Sequence, residues 1–183
     1  MKGFLLGVFT TLALLAAGVY SYFAGGLAPV ATSAPPMPFE KKLARLALHA
    51  RIDKDMPGTA PIQASEPNYV AGARLYAEHC AVCHGLPGRP ETAIARGEFP
   101  HPPQLFRGKG VTDDPPGESY WKIANGIRLT GMPGFDESLS TTQMWQLAIL
   151  VSHADKLPTP ALAALTGPAD AKPPAAVDEL PTP

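Results

Sequence analysis

The chain has 183 residues, 45% of them hydrophobic, with 15 Lys and Arg against 16 Asp and Glu and a formal net charge of −1. That balance excludes a polybasic nucleic-acid binder or a polyacidic tail as the main role. Its 2 cysteines exclude the disulfide framework that staples small secreted domains, so a small domain here needs another supplement to its core.

Residues 1–24, MKGFLLGVFTTLALLAAGVYSYFA, carry one charged side chain, Lys2. As a helix, Gly3 to Ala24 is roughly 33 Å long, enough to cross a hydrocarbon core of about 30 Å. Tyr20, Tyr22 and Phe23 near its far end suit a membrane–water interface. Two readings remain, a retained transmembrane anchor and a signal peptide. A signal peptide has a shorter apolar core and a small-x-small cleavage site. Ala28 and Ala34 are each followed by proline, which hinders cleavage, so the anchor is favoured. Lys41, Lys42 and Arg45 lie beyond the segment, so the positive-inside rule orients it only weakly. Either reading exports the bulk of the chain.

Residues 25–38, GGLAPVATSAPPMP, read as a linker. Over 39–50, Phe39, Leu43, Leu46 and Ala50 recur at helical spacing, with Lys41, Lys42 and Arg45 off that line. An amphipathic helix on the membrane surface and a helix packed on the following domain are both open. Pro57, Gly58, Pro61 and Pro67 return the chain to linker, making 25–65 a linker that contains one amphipathic helix.

Residues 66–157 read as the compact domain, all-α, since no stretch alternates as a strand. Helices are predicted over 68–83, 118–126 and 141–156. The last opens on the S-x-x-Q capping box of Ser140 and Gln143 and carries the stripe Met144, Leu147, Ala148, Val151 before Pro158 stops it. RGEFPHPPQLFRGKGVTDDPPG, between them, is loop chemistry. Residues 158–183, rich in proline and alanine, are expected to be disordered.

Both cysteines fall in LYAEHCAVCHGLPG, as Cys80-x-x-Cys83-His84. Zinc wants four ligands, commonly with a second cysteine pair, and His49, His79, His101 and His153 are scattered. A redox dithiol sits at a helix N-terminus, whereas the residues before Cys80 read as helix. Covalent haem attachment suits the motif: two thiols one turn apart reach two vinyl groups, and His84 lies under the iron. A porphyrin would also supply the buried apolar body that a small domain lacks.

The second iron ligand must come from further along. Met132, in GIRLTGMPGF between Gly131 and Pro133, is favoured, and His101, in a proline-rich loop, is the runner-up. Met144 lies in the last helix's apolar stripe and reads as core, His79 as surface, and His153 as a capping or solvated residue. With His84 and Met132 both bound, no iron position stays open for oxygen or substrate. An electron carrier is then expected, not an enzyme.

Together the motif, the helix before it, the Met-Pro loop and the closing helix resemble a class I c-type cytochrome, with one haem and here a membrane anchor. Gly72 and Tyr76 stand ahead of Cys80 in the pattern G-x-x-x-[FY]-x-x-x-C-x-x-C-H. The resemblance implies a small cytochrome c-like helical domain wrapped around one covalent haem c, with Gly72 and Tyr76 meeting the closing helix near Trp145 and Leu147. Cys80, Cys83, His84, Met132, Pro103, Tyr76 and Trp145 become the cofactor-binding set, with His84 and Met132 on the iron. HPPQLF resembles the family's proline-leucine loop, which implies that the carbonyl of Pro103, or of Pro102 in another register, accepts a hydrogen bond from the His84 imidazole. ANGIRLTGMPGF resembles the segment leading to the axial methionine. The function expected is single-electron transfer between redox proteins or complexes of a bacterial inner membrane, with the haem domain periplasmic and no nucleic acid involved. A fixed haem c relay subunit of a larger oxidoreductase is the alternative.

Overall fold

A computed structural model of the chain describes residues 1–167. All regular structure among the described residues is helical: α1 (Lys2–Ala24), α2 (Glu40–Asp55), α3 (Glu66–His79), α4 (Ala81–His84), α5 (Ala93–Gly97), α6 (Pro116–Asn125), α7 (Thr141–Ser152) and α8 (Thr159–Thr166). The chain divides into two compact units, Met1–Ala47 and the residues from Leu48 onward.

The first unit holds α1 and the start of α2. None of the 23 residues of α1 is buried, and its phenylalanines and leucines lie open all round. By length and composition α1 can cross a membrane. A helix apolar on every side has no reason to stay in water.

In the second unit α3 packs against α7 and α8, and α6 packs against α7. Ser65 leads into α3 and a proline sits in its first turn, where a missing N–H costs nothing. The α3–α7 crossing is close because Gly72 has no side chain: a Cβ there would collide with the Gln146 carbonyl and press on Leu150. Gln146 Nε2 donates to Asn68 Oδ1 at 3.0 Å across the same crossing. The capping box of α7 is complete, with Ser140 and Gln143 each bonding the other's backbone. Met144, Trp145, Leu147, Ala148 and Leu150 of α7 form the core with Ala73 and Tyr76 of α3.

Two expectations need correction. The compact unit starts at Leu48, ahead of 66, because α2 runs on to Asp55, where Arg51 and Asp55 pair, and because Ile52 is fully buried. Ala60 and Ile62 pack on the core and the Pro57 carbonyl lies where a Cβ of Gly117 would be, so 51–65 is no free linker. At the other end, Thr159–Thr166 is the helix α8, buried through Ala161 and Leu165, where disorder is expected. Two side chains four residues apart suffice to seat a short helix on α3. The rest of the expected tail, 168–183, lies outside the described residues.

Candidate functional site

The Cys-His turn forms where α3 ends. Cys80, with φ −112° and ψ −32° at the stretched edge of the right-handed helical region, both ends α3 and starts α4. His84 N then bonds the Cys80 carbonyl at 2.9 Å, so Cys80 and His84 span a single helical turn. Gly85, at φ +72°, turns the chain away, and its carbonyl accepts the Tyr76 hydroxyl at 2.9 Å. Tyr76 is itself fully buried and meets Phe106 edge to face, with ring centroids 5.0 Å apart.

Both thiols are free. Burial pushes the Cys80 thiol up to about 12, with the nearby Cys83 adding to the shift. Burial also raises Cys83, as do the hydrogen bond to Glu98 and the charge of that residue; Cys83 Sγ donates to Glu98 Oε1 at 3.4 Å. Redox dithiols show the opposite, a depressed pKa that makes the thiolate available.

His84 Nδ1 lies 2.8 Å from the Pro103 carbonyl oxygen. A carbonyl only accepts, so Nδ1 carries the proton and Nε2 keeps a lone pair for a metal. Burial lowers the His84 pKa, opposed by the Pro103 bond and by the charge of Glu98. The carbonyl in reach is thus that of Pro103; the Pro102 carbonyl accepts from Gln104 Nε2 at 3.5 Å. The same Gln104 nitrogen donates to the Cys83 carbonyl at 3.0 Å, fastening the proline loop to the turn.

Met132 belongs to a loop hung from the end of α6. Ile127 N donates to the Met132 carbonyl at 3.1 Å, Met132 N to Thr130 Oγ1 at 3.1 Å, and Thr130 Oγ1 to the Ile127 carbonyl at 2.7 Å. Phe135 N donates to the Ile123 carbonyl at 3.0 Å, holding the far side. Gly126, at φ +65°, allows this: a Cβ would stand 2.8 Å from the Met132 oxygen. Met132 is half-buried and packs on the core.

The remaining candidates sit elsewhere. His101 is exposed, with Nε2 3.3 Å from Glu91 Oε2. His79 leans on Phe135 with ring centroids 6.0 Å apart. His153 Nδ1 donates to the Ile149 carbonyl at 2.8 Å at the end of α7. Met144 is core. Trp145 stacks on Tyr120 at 4.3 Å between α7 and α6. Gly72 touches α7 at Gln146 and Leu150, next to Trp145 and Leu147 in sequence.

Three contributors escape a reading of the sequence. Gln104 is a neutral residue beside two prolines. Glu98 is 15 positions past Cys83, yet its carboxylate meets Cys83 and stands 2.5 Å from where a Gly131 Cβ would be. Arg89 Nη2 donates to the Thr166 carbonyl at 3.4 Å, linking the loop after the motif to α8. No local pattern marks any of them.

The donor set fits covalent haem. The two thiols are unlinked, the imidazole is neutral and oriented, and a thioether stands in a loop with small neighbours. It does not fit zinc, because no group of three or more His, Cys, Asp or Glu gathers among the described residues.

The family model described as cytochrome c oxidase, cbb3-type, subunit III matches residues 67–151. No curated protein matches the chain. Among solved structures, a chain of a reducing HAO-like protein complex from Kuenenia stuttgartiensis is similar at 28% identity, covering 53% of this chain and 47% of that one, with a TM-score of 0.46. This chain thus spans about half the length of that relative.

Proposed function

We propose that this chain, whose residues 67–151 are a c-type cytochrome domain, is a membrane-tethered carrier of single electrons in a bacterial respiratory chain. A c-type cytochrome domain implies electron transfer and covalent haem c. The finer reading is one haem per chain, α1 in the cytoplasmic membrane, the second unit in the periplasm, and redox proteins or complexes of that membrane as donor and acceptor.

In this reading Cys80 and Cys83 are the thioether-forming thiols, His84 offers Nε2 to the iron, and Met132 offers its sulfur. Haem c, when bound, supplies a one-electron iron couple whose potential methionine ligation raises. The Pro103 carbonyl fixes the His84 ring and makes it a better donor. Tyr76 holds the Gly85 carbonyl, and so the exit of the turn, while Trp145 backs the domain through Tyr120. If His84 and Met132 both held the iron, no coordination site would be left for a substrate, which supports a carrier rather than an enzyme.

The observation that supports the reading best is the 2.8 Å His84–Pro103 contact in a turn that also carries two unlinked thiols. Pyridine haemochrome analysis of purified protein, before and after acid–acetone extraction, tests it. One haem c per chain, retained by the polypeptide, is expected. A colourless protein, correctly exported and with both thiols reactive, overturns it.

The matched family's description favours a second reading, a fixed haem c subunit of an oxidase complex. Purification from native membranes in mild detergent separates the two. A stoichiometric partner selects the subunit, and a protein recovered alone selects the carrier.

A further inference from the structure

We infer that the first half of α2 rests on the membrane surface, its apolar stripe among the acyl chains and its cations at anionic headgroups. Phe39 is 74% exposed, Leu43 62% and Leu46 66%. At 100° per residue Leu43, Leu46 and Ala50 share one stripe. Phe39 stands at its leading edge, with its carbonyl accepting from Leu43 N at 2.9 Å. Ile52, about 120° round the helix from Leu46, is the fully buried residue of α2. The helix therefore has one side committed to protein at its C-terminal end and a separate apolar stripe left exposed among the described residues.

Two features identify what covers it. Lys42 flanks the stripe and Arg45 lies on the polar side of the same half-helix, and the one acidic residue of that turn, Glu40, is turned back onto Met37 N at 2.7 Å. The charge on the polar side of this half-helix is therefore positive and complements anionic lipid. The second feature is tethering. The connector Gly25–Phe39 extends to no more than about 50 Å, so a membrane-inserted α1 keeps α2 beside the bilayer at high effective concentration. The inference rests on α1 being the anchor. Its consequence is that the slack between anchor and haem domain is the short connector alone, not the whole of 25–65.

The test uses full-length haem-loaded protein in vesicles of phosphatidylcholine with phosphatidylglycerol, purified by flotation. Leu43→Trp adds one fluorophore, read against the wild-type background of Trp121 and Trp145. The added emission is expected to be blue-shifted and quenched at least twofold by dibrominated acyl chains. Ala44→Trp, one position round the helix, is expected to show less than half that quenching. Without phosphatidylglycerol the quenching of Leu43→Trp should fall. Protein that floats while Leu43→Trp is quenched no more than the background overturns this inference alone, whether its emission is that of water or of burial against a second copy. Protein that does not float overturns the anchor, and this inference with it.

Discussion

The His84 turn and the Met132 loop are built to different plans. His84 is held from a distance: the Pro103 carbonyl lies 19 residues downstream, Gln104 Nε2 reaches back to Cys83 across 21 residues, and the Tyr76 hydroxyl, in the core, grips the Gly85 carbonyl. Met132 is held locally, by bonds that begin and end within 127–132 and by the end of α6. Its neighbour Leu129 is 93% exposed. Long-range contacts fail only when the domain does, whereas a local loop can yield by itself. The His84 turn is part of the fold, and the Met132 loop is suspended from it.

The largest effect should come from removing the covalent side. Cys80→Ser with Cys83→Ser is expected to abolish haem retained on a denaturing gel, and with it the folded holo-domain. Retention of stain would deny the two thiols their role. Next comes the crossing that supports the turn. Gly72→Val drives a side chain into the Gln146 carbonyl and is expected to cost about 1–3 kcal/mol in a urea melt, more if α3 and α7 separate. Met132→Ala should leave folding and haem content intact but lower the midpoint potential by more than about 59 mV, a tenfold shift in a one-electron equilibrium. Potentiometric titration reads it. An unchanged potential would place the second ligand elsewhere. The finest comparison pairs Tyr76→Phe with Thr130→Val. Tyr76→Phe leaves the Gly85 carbonyl unsatisfied at a buried position and is expected to cost about 1–3 kcal/mol. Thr130→Val loosens a half-exposed loop and should cost under about 1 kcal/mol. Equal losses would remove the distinction between the two sides.

The same division explains what the sequence discloses. α7 is legible because its capping box and apolar stripe are local, although it ends at Ser152, with His153 on its last carbonyls, rather than at 156. α6 is legible within two residues, Pro116 supplying a first-turn start at 116 rather than 118. The predicted 68–83 helix is two helices, Glu66–His79 and Ala81–His84, because the chain breaks at Cys80, which ends the first and starts the second. α8 is hidden: it lies at the head of a stretch rich in proline and alanine, and it is seated by packing on α3, with Ala161 and Leu165 buried. Ile52 is hidden too, since no local pattern sets it apart from the exposed residues around it in α2. At the site, the motif residues can be read from spacing, and the Pro103 contact from the resemblance of HPPQLF to a cytochrome proline-leucine loop. Gln104 and Glu98 cannot, because only the folded loops bring them to Cys83.

The most direct test of a site gripped from both sides is the absorption spectrum of the reduced wild-type protein with and without carbon monoxide. A spectrum that carbon monoxide leaves unchanged is expected if Met132 occupies the position opposite His84. Rapid and complete binding would contradict it, leaving an open iron and a chain built for ligand chemistry rather than for carrying electrons.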